Sequence, residues 1–280
     1  LPILASIFLL YCYFGRFAPA MFEHRGYSLE RIIQHMYVVP EGIYGVALGV
    51  SATFVFLFIL FGAFLNISGG ARFFNDLALA LAGKYAGGPA KVAIFTSGLL
   101  GTINGSSIAN TATTGAFTIP LMKKVGYRPY FAGAVEASSS TGGQIMPPVM
   151  GAAAFIMTEF MGVPYRTIIT AALVPAVLYY FCIFMSVHLT ARKDGLKGLP
   201  PDVLPQVKQV IKTRGHLFVP IVVIIGLLIS GFTPVFAAFW GTVSVFLVSQ
   251  LRADTRITLP KLIEALRNGA RSALGVAIAC

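Results

Sequence analysis

Acidic residues are scarce in this chain: ten Asp and Glu among 280 residues, against 21 Lys and Arg. Charged side chains of both signs reach only 11%, where soluble domains carry about 25%. That shortage excludes a soluble globular domain. Cysteine is almost as rare, with only Cys12, Cys182 and Cys280, all in apolar segments and without metal-ligand spacing. A disulfide framework and a structural zinc site are therefore excluded, and the three read as inert small hydrophobes. His24, His35, His188 and His216 lie near loops or ends of apolar runs, without ligand spacing. The lone Trp240 reads as a packing or interface residue. No H-E-x-x-H pair, nucleophile elbow or Walker motif occurs. No enzyme activity and no cofactor are expected, and energy must come from an ion gradient or another chain.

What is abundant is apolar surface: 56% of residues are hydrophobic and the mean hydropathy is +0.80. Runs of 18 or more apolar residues mark transmembrane candidates. Ile43 to Leu65 contains no charge, and Tyr165 to Leu189 has only Arg166 and His188 near its ends. The class is an all-α integral membrane protein. The net charge of +11 sits in short loops between apolar runs, which is the positive-inside pattern of a topology signal. It implies a lipid bilayer and no nucleic acid as partner. Leu1 and Cys280 both fall inside apolar runs, so the chain reads as a piece of a larger permease. Leu1 to Phe14 lacks the basic region and cleavage site of a signal peptide.

Charges and interruptions divide the chain. Residues 1–42 read as the end of a span followed by an interfacial helix at Ser28 to Tyr37, where charges mix with Leu29, Ile32, Ile33 and Met36 at helical spacing. Residues 43–84 read as a span and an amphipathic surface helix, with Phe73, Phe74, Leu77 and Leu81 opposite Arg72, Asp76 and Lys84. Residues 85–164 carry two broken segments. Pro89 to Met122 is interrupted at Asn104 to Ser107, leaving arms of about 15 residues where a crossing needs about 20. Lys84 and Lys91 flank one end of it, and Lys123, Lys124 and Arg128 the other. Both basic ends favour one membrane face, hence a re-entrant hairpin with its tip at mid-depth. Tyr130 to Met161 is interrupted by Ser138 to Gly143, and Pro147-Pro148 blocks regular helix there. Residues 165–267 read as further spans with basic cytoplasmic loops. Within them His216 to Leu251 is too long for one crossing and splits at Gly231-Phe232-Thr233-Pro234.

Irregular backbone survives at membrane depth only inside protein or against a polar cavity. Two such breaks therefore point to an ion or polar solute near mid-bilayer. The carbonyl end of one hairpin arm suits a small hard cation, and the amide end of the next suits a carboxylate. Asn104, Ser106, Ser107 and Asn110 offer oxygens at the first break, and Thr141, Gly142 and Gly143 at the second. Thr111, Thr113 and Thr114 add hydroxyls beyond the tip. Small residues also permit close helix packing, and Gly98, Gly101 and Gly105 fit a packing face. Glu136 is the only acid in the first arm of the second segment, and an intramembrane acid is a functional candidate by default. Its position a little over a turn after Tyr130 places it in reach of the interface, or of Arg128 or Lys124.

Two long stretches carry a resemblance. Gly105-Ser106-Ser107-Ile108-Ala109-Asn110, with Thr114-Gly115-Ala116-Phe117-Thr118-Ile119-Pro120-Leu121-Met122-Lys123-Lys124-Val125-Gly126-Tyr127, resembles the large membrane subunit of tripartite ATP-independent periplasmic (TRAP) transporters. Ala134-Val135-Glu136-Ala137 and Ser140-Thr141-Gly142-Gly143-Gln144-Ile145-Met146-Pro147-Pro148-Val149-Met150-Gly151 continue it. The chain is most similar to fused small-plus-large permeases of the TAXI type, with Tyr11 to Arg16 as the end of the small-subunit portion. The resemblance implies an elevator-type, sodium-coupled importer of organic carboxylates in the bacterial inner membrane, fed by a periplasmic solute-binding protein. Its two inverted repeats would each hold a re-entrant hairpin and a broken helix. Pro89 to Met161 would be the first pair, and residues 268–280 the start of the second hairpin.

On the same resemblance, the two breaks share a sodium site at Gly105, Ser106, Ser107, Asn110, Thr141 and Gly142. Part of the substrate site falls at Asn104, Ser140, Gly143 and Pro147, with Glu136 as a candidate for coupling. The alternatives are a sodium/anion symporter of related inverted-repeat class that needs no binding protein, and a non-transporting scaffold or channel subunit.

Overall fold

A computed structural model describes residues 2–19 and 21–278, and all regular structure among them is helical. Cys280 lies outside the described residues. The chain opens with α1 (Pro2–Phe14) and α2 (Leu29–Tyr37), which starts where the Ser28 hydroxyl accepts from the Arg31 amide.

The first long apolar element is α3 (Val46–Val50) and α4 (Phe56–Ile67), joined through a π-helical turn at Ser51–Val55. Together they run 22 residues, about 33 Å at 1.5 Å per residue, enough to cross the hydrocarbon core. Gly69, at φ +94°, turns the chain into α5 (Gly70–Ala82). This amphipathic helix buries Phe73, Phe74, Ala78 and Ala82.

The hairpin follows as α6 (Gly88–Asn104) and α7 (Ser107–Lys124), and then comes α8 (Pro129–Gly142). An irregular stretch at 143–151 separates α8 from α9 (Ala152–Met161). α10 (Tyr165–Lys193) is 29 residues long and leaves Leu173, Val174, Val177, Leu178 and Phe181 exposed, an apolar face suited to lipid.

Beyond a short α11 (Val207–Arg214), the apolar run divides into α12 (Val219–Ile229) and α13 (Pro234–Ser249). The turn between them contains Gly231 at φ +86°, and the Thr233 hydroxyl accepts from the Phe236 amide to start α13. α14 (Leu259–Ala277) closes the described chain and packs on α4, with Gly269 against Leu60. It runs unbroken through Asn268, so the boundary expected at that residue coincides with no change of structure.

The main core gathers around α4. Phe155 stacks between Phe58 at 5.3 Å and Tyr165 at 4.6 Å, which seats α9 and the start of α10 on the first span. On the basic side, Arg214 bridges Asp76 and Asp254, each at 3.4 Å. Partly exposed pairs of this kind contribute at most about 1 kcal/mol.

Two charges differ from the sequence expectation. Lys91, read from sequence as a cation flanking the hairpin, is buried, with Nζ 3.1 Å from His188 Nδ1 and 5.1 Å from the centre of the Phe184 ring. Glu136, expected near the interface with Arg128 or Lys124, is fully buried. Arg128 instead donates to the Tyr130 hydroxyl at 2.9 Å. The physical reason is helical phase: Glu136 points inward between α6 and α7, away from the end of α8 that carries Arg128.

Candidate functional site: the seam between the two breaks

The hairpin tip is built from three residues. Gly105 takes φ +59°, and its amide bonds the Gly101 carbonyl at 3.1 Å, which ends α6. The Asn104 side chain accepts from the Ser106 amide, and the Ser106 hydroxyl accepts from the Ala109 amide to cap α7, both at 3.3 Å. Two residues, Gly105 and Ser106, thus separate the carbonyl end of one helix from the amide end of the next, and these dipole ends carry opposite partial charges.

The second break is seated directly on this tip. The Val149 amide donates to the Thr102 carbonyl at 3.2 Å, joining the irregular stretch to the last turn of α6. Gln144 Nε2 donates to the Ser107 hydroxyl at 3.1 Å. The backbones touch at two points. A Cβ on Gly101 would lie 2.4 Å from the Gly143 Cα, and one on Gly105 would lie 2.0 Å from the Met150 carbonyl oxygen. Neither contact admits a side chain. Met150 itself takes φ +59°, a conformation that costs a non-glycine residue about 1–2 kcal/mol.

α10 holds the seam from behind. Tyr179 and Tyr180 donate to the carbonyls of Ser138 and Ser139, each at 2.9 Å. Tyr165 donates to the carbonyls of Pro148 and Val149. The carbonyls of Ser139, in the last turn of α8, and of Pro148 and Val149, in irregular backbone, would otherwise be left without partners.

In front of the seam lies a cavity of about 620 Å³, walled by the tip, α4 and α14. Its polar groups include the carboxamides of Asn66, Asn104, Gln144 and Asn268 and the hydroxyls of Ser106, Ser107, Thr113 and Ser272. Among the described residues no charged side chain lines it, so discrimination there would rest on amides, hydroxyls and backbone dipoles.

Of the residues singled out from sequence, Asn104, Gly105, Ser106, Ser107 and Thr113 line this cavity, the Thr113 hydroxyl donating to the Ala109 carbonyl of its own helix. The other candidate site residues are placed elsewhere. Asn110 is fully buried, with Nδ2 donating to the Ser97 carbonyl at 2.8 Å. The Thr141 hydroxyl donates to the Ala137 carbonyl of its own helix. Gly142 is packed against Tyr179 and Tyr180, and Gly143 against Gly101. The Ser140 hydroxyl is engaged with Glu136 at 3.1 Å. Pro147 lies half-buried in the irregular stretch. Sequence reading did not pick out Asn66, Gln144 or Asn268. Asn66 carries a local signal, as a carboxamide at the end of an otherwise apolar span.

Residues 1–280 match the family described as "Tripartite ATP-independent periplasmic transporter, DctM component". A C4-dicarboxylate TRAP transporter large permease protein of Pseudomonas aeruginosa is 27% identical over 212 residues, 74% of this chain and 48% of the relative. An isethionate TRAP transporter permease protein of Oleidesulfovibrio alaskensis is 30% identical over 199 residues, 66% of this chain and 30% of the relative. A sialic acid TRAP transporter large permease protein of Vibrio cholerae is 24% identical over 222 residues, 79% of this chain and 51% of the relative. The chain spans about half the length of these relatives or less.

Proposed function

We propose, from the premise that this chain belongs to the DctM component family of tripartite ATP-independent periplasmic transporters, that the seam between its two breaks is half of a sodium and organic-anion site. The chain is a component of an inner-membrane permease and not an enzyme. The observation that carries the proposal is the cavity in front of the joined breaks, where a helix carbonyl end and a helix amide end meet at Gly105. The carbonyl end suits sodium and the amide end an anionic group.

The relatives' names specify C4-dicarboxylates, isethionate and sialic acid. All three are anions at neutral pH, which favours a small organic anion as solute, carboxylates among them. In the whole protein, a second inverted repeat supplies the other half of the site. A periplasmic solute-binding protein and a small permease subunit, separate or fused, complete the importer. The hairpin α6–α7 then enters and leaves the membrane on one face.

The test is uptake by the full-length parent in proteoliposomes with its binding protein, offered C4-dicarboxylate, isethionate and sialic acid in turn. We expect uptake of one of them to require both the sodium gradient and the binding protein. Ser107→Ala and Gln144→Ala should each lower it about tenfold, the loss of one ligand contact worth about 1.4 kcal/mol. Uptake without sodium, or full activity in both variants, would remove the seam from the mechanism. Uptake without the binding protein would favour the independent symporter.

A further inference from the structure

Glu136 lies outside the cavity, in a closed polar layer shared by three helices. Its carboxylate is met by four hydroxyls: Ser97 from α6 at 2.9 Å, Thr114 and Thr118 from α7, and Ser140 from its own helix at 3.1 Å. Ser97, Thr114 and Ser140 reach Oε1, and Thr118 alone reaches Oε2. All five residues are fully buried. Gly115 makes the room, since a Cβ there would stand 3.2 Å from the Glu136 Cγ.

Among the described residues no basic group pairs with this acid. Among the described residues the ion pairs are those of Arg214 with Asp76 and Asp254. On α6, Lys91 is bonded to His188 of α10. On α7, Lys123 and Lys124 lie in the last turn, beyond Thr118. On α8, Glu136 is the only charged residue. From α10, Tyr179 and Tyr180 face this region with their hydroxyls donated to backbone carbonyls, and Arg166, Arg192 and Lys193 sit at its two ends.

The two threonines give the layer a second arrangement. Thr114 Oγ1 is also 2.8 Å from the Asn110 carbonyl, and Thr118 Oγ1 is 3.0 Å from the Thr114 carbonyl. A threonine hydroxyl has one proton and two lone pairs, so it can donate to either acceptor. With the carboxylate ionised, Thr118 donates to Oε2, and Thr114, Ser97 and Ser140 donate to Oε1. With a proton on Oε2, the acid O–H donates to Thr118 Oγ1, whose own proton turns to the Thr114 carbonyl. Oε1 keeps its donors from Ser97 and Ser140. Both forms satisfy every group with the heavy atoms in place, and only hydroxyl protons rotate.

We propose that Glu136 is a proton-binding site of the permease, separate from the cavity at the tip. The proton comes from water and forms a bond to Oε2, with no other bond broken. A larger cation is disfavoured because the hydroxyls already stand at hydrogen-bonding distance around the carboxylate. Proton relays are one of the roles that intramembrane acids serve.

The test uses infrared difference spectra of the purified full-length parent between alkaline and acidic buffer, and it needs no transported solute. A buried carboxylic acid band should appear on acidification, exchange slowly in deuterated water, and be lost in Glu136→Gln. Thr118→Val removes the acceptor of the acid proton and should shift the band's frequency. Absence of a slowly exchanging band in the unmodified protein would overturn the proposal. So would a band that survives Glu136→Gln, or one that Thr118→Val leaves unmoved.

Discussion

Gly105→Ala is expected to unseat the two breaks from one another. The added Cβ would meet the Met150 carbonyl oxygen at 2.0 Å, and that oxygen belongs to backbone that cannot swing aside. The position also takes φ +59°, which costs an L-residue about 1–2 kcal/mol on its own. Overpacking adds about 1–3 kcal/mol. A loss of about 2–5 kcal/mol is large against a whole-domain stability of about 5–15 kcal/mol. Gly162→Ala provides the internal control. It shares the positive φ, at +62°, but has nothing within 4 Å of its added Cβ. Thermal unfolding of the full-length parent should show Gly105→Ala as the more damaging of the two by the overpacking cost. Equal loss in both would mean that the tip and the break do not touch.

Glu136→Ala is expected to loosen the packing of the hairpin on α8. Thr114 and Thr118 can turn their hydroxyls to backbone carbonyls, but Ser140 loses its acceptor and Ser97 keeps only Thr114, at 3.2 Å. A buried hydroxyl without a partner costs about 1–3 kcal/mol, and the vacated volume adds to it. About 2–4 kcal/mol should be lost in thermal unfolding of the same full-length protein. Glu136→Gln should recover most of that. The amide oxygen accepts from Ser97 and Ser140, and the amide nitrogen donates to Thr118 while Thr118 donates to the Thr114 carbonyl. A Gln variant as unstable as the Ala variant would show that the cage needs the carboxyl group itself.

These two residues also mark how far the sequence could be read. The spans at Val46–Ile67 and Tyr165–Lys193 follow from hydropathy, because lipid leaves an apolar run few alternatives. The helix ends at Gly105 and Gly142 follow from local composition, as does the turn at Gly231. Glu136 was visible as a lone acid, but its partners were not. Ser97, Thr114 and Thr118 are distant in sequence, and only the packing of α6 and α7 on α8 brings them together.

The site was legible in the same uneven way. Polar residues at the breaks were evident, yet sequence does not say which of them face a cavity. The Thr141 hydroxyl bonds within its own helix and the Asn110 amide nitrogen within a buried layer, whereas Gln144 and Asn268 reach the cavity from the second break and from α14. Lys91 shows the limit of charge counting. Its charge marks one end of the hairpin, but packing of α6 against α10 places it beside His188 and Phe184.

On this reading the hairpin tip and the second break form one ion site. Sodium binding to the purified full-length parent, measured by calorimetry without any solute, tests it most directly, with Ser107→Ala and Gln144→Ala compared against the unmodified protein. Both residues line the cavity, one from each break, and they bond each other at 3.1 Å. Sodium is expected to bind, and each substitution to weaken it about tenfold, or about 1.4 kcal/mol. Unchanged sodium affinity in both folded variants would contradict it.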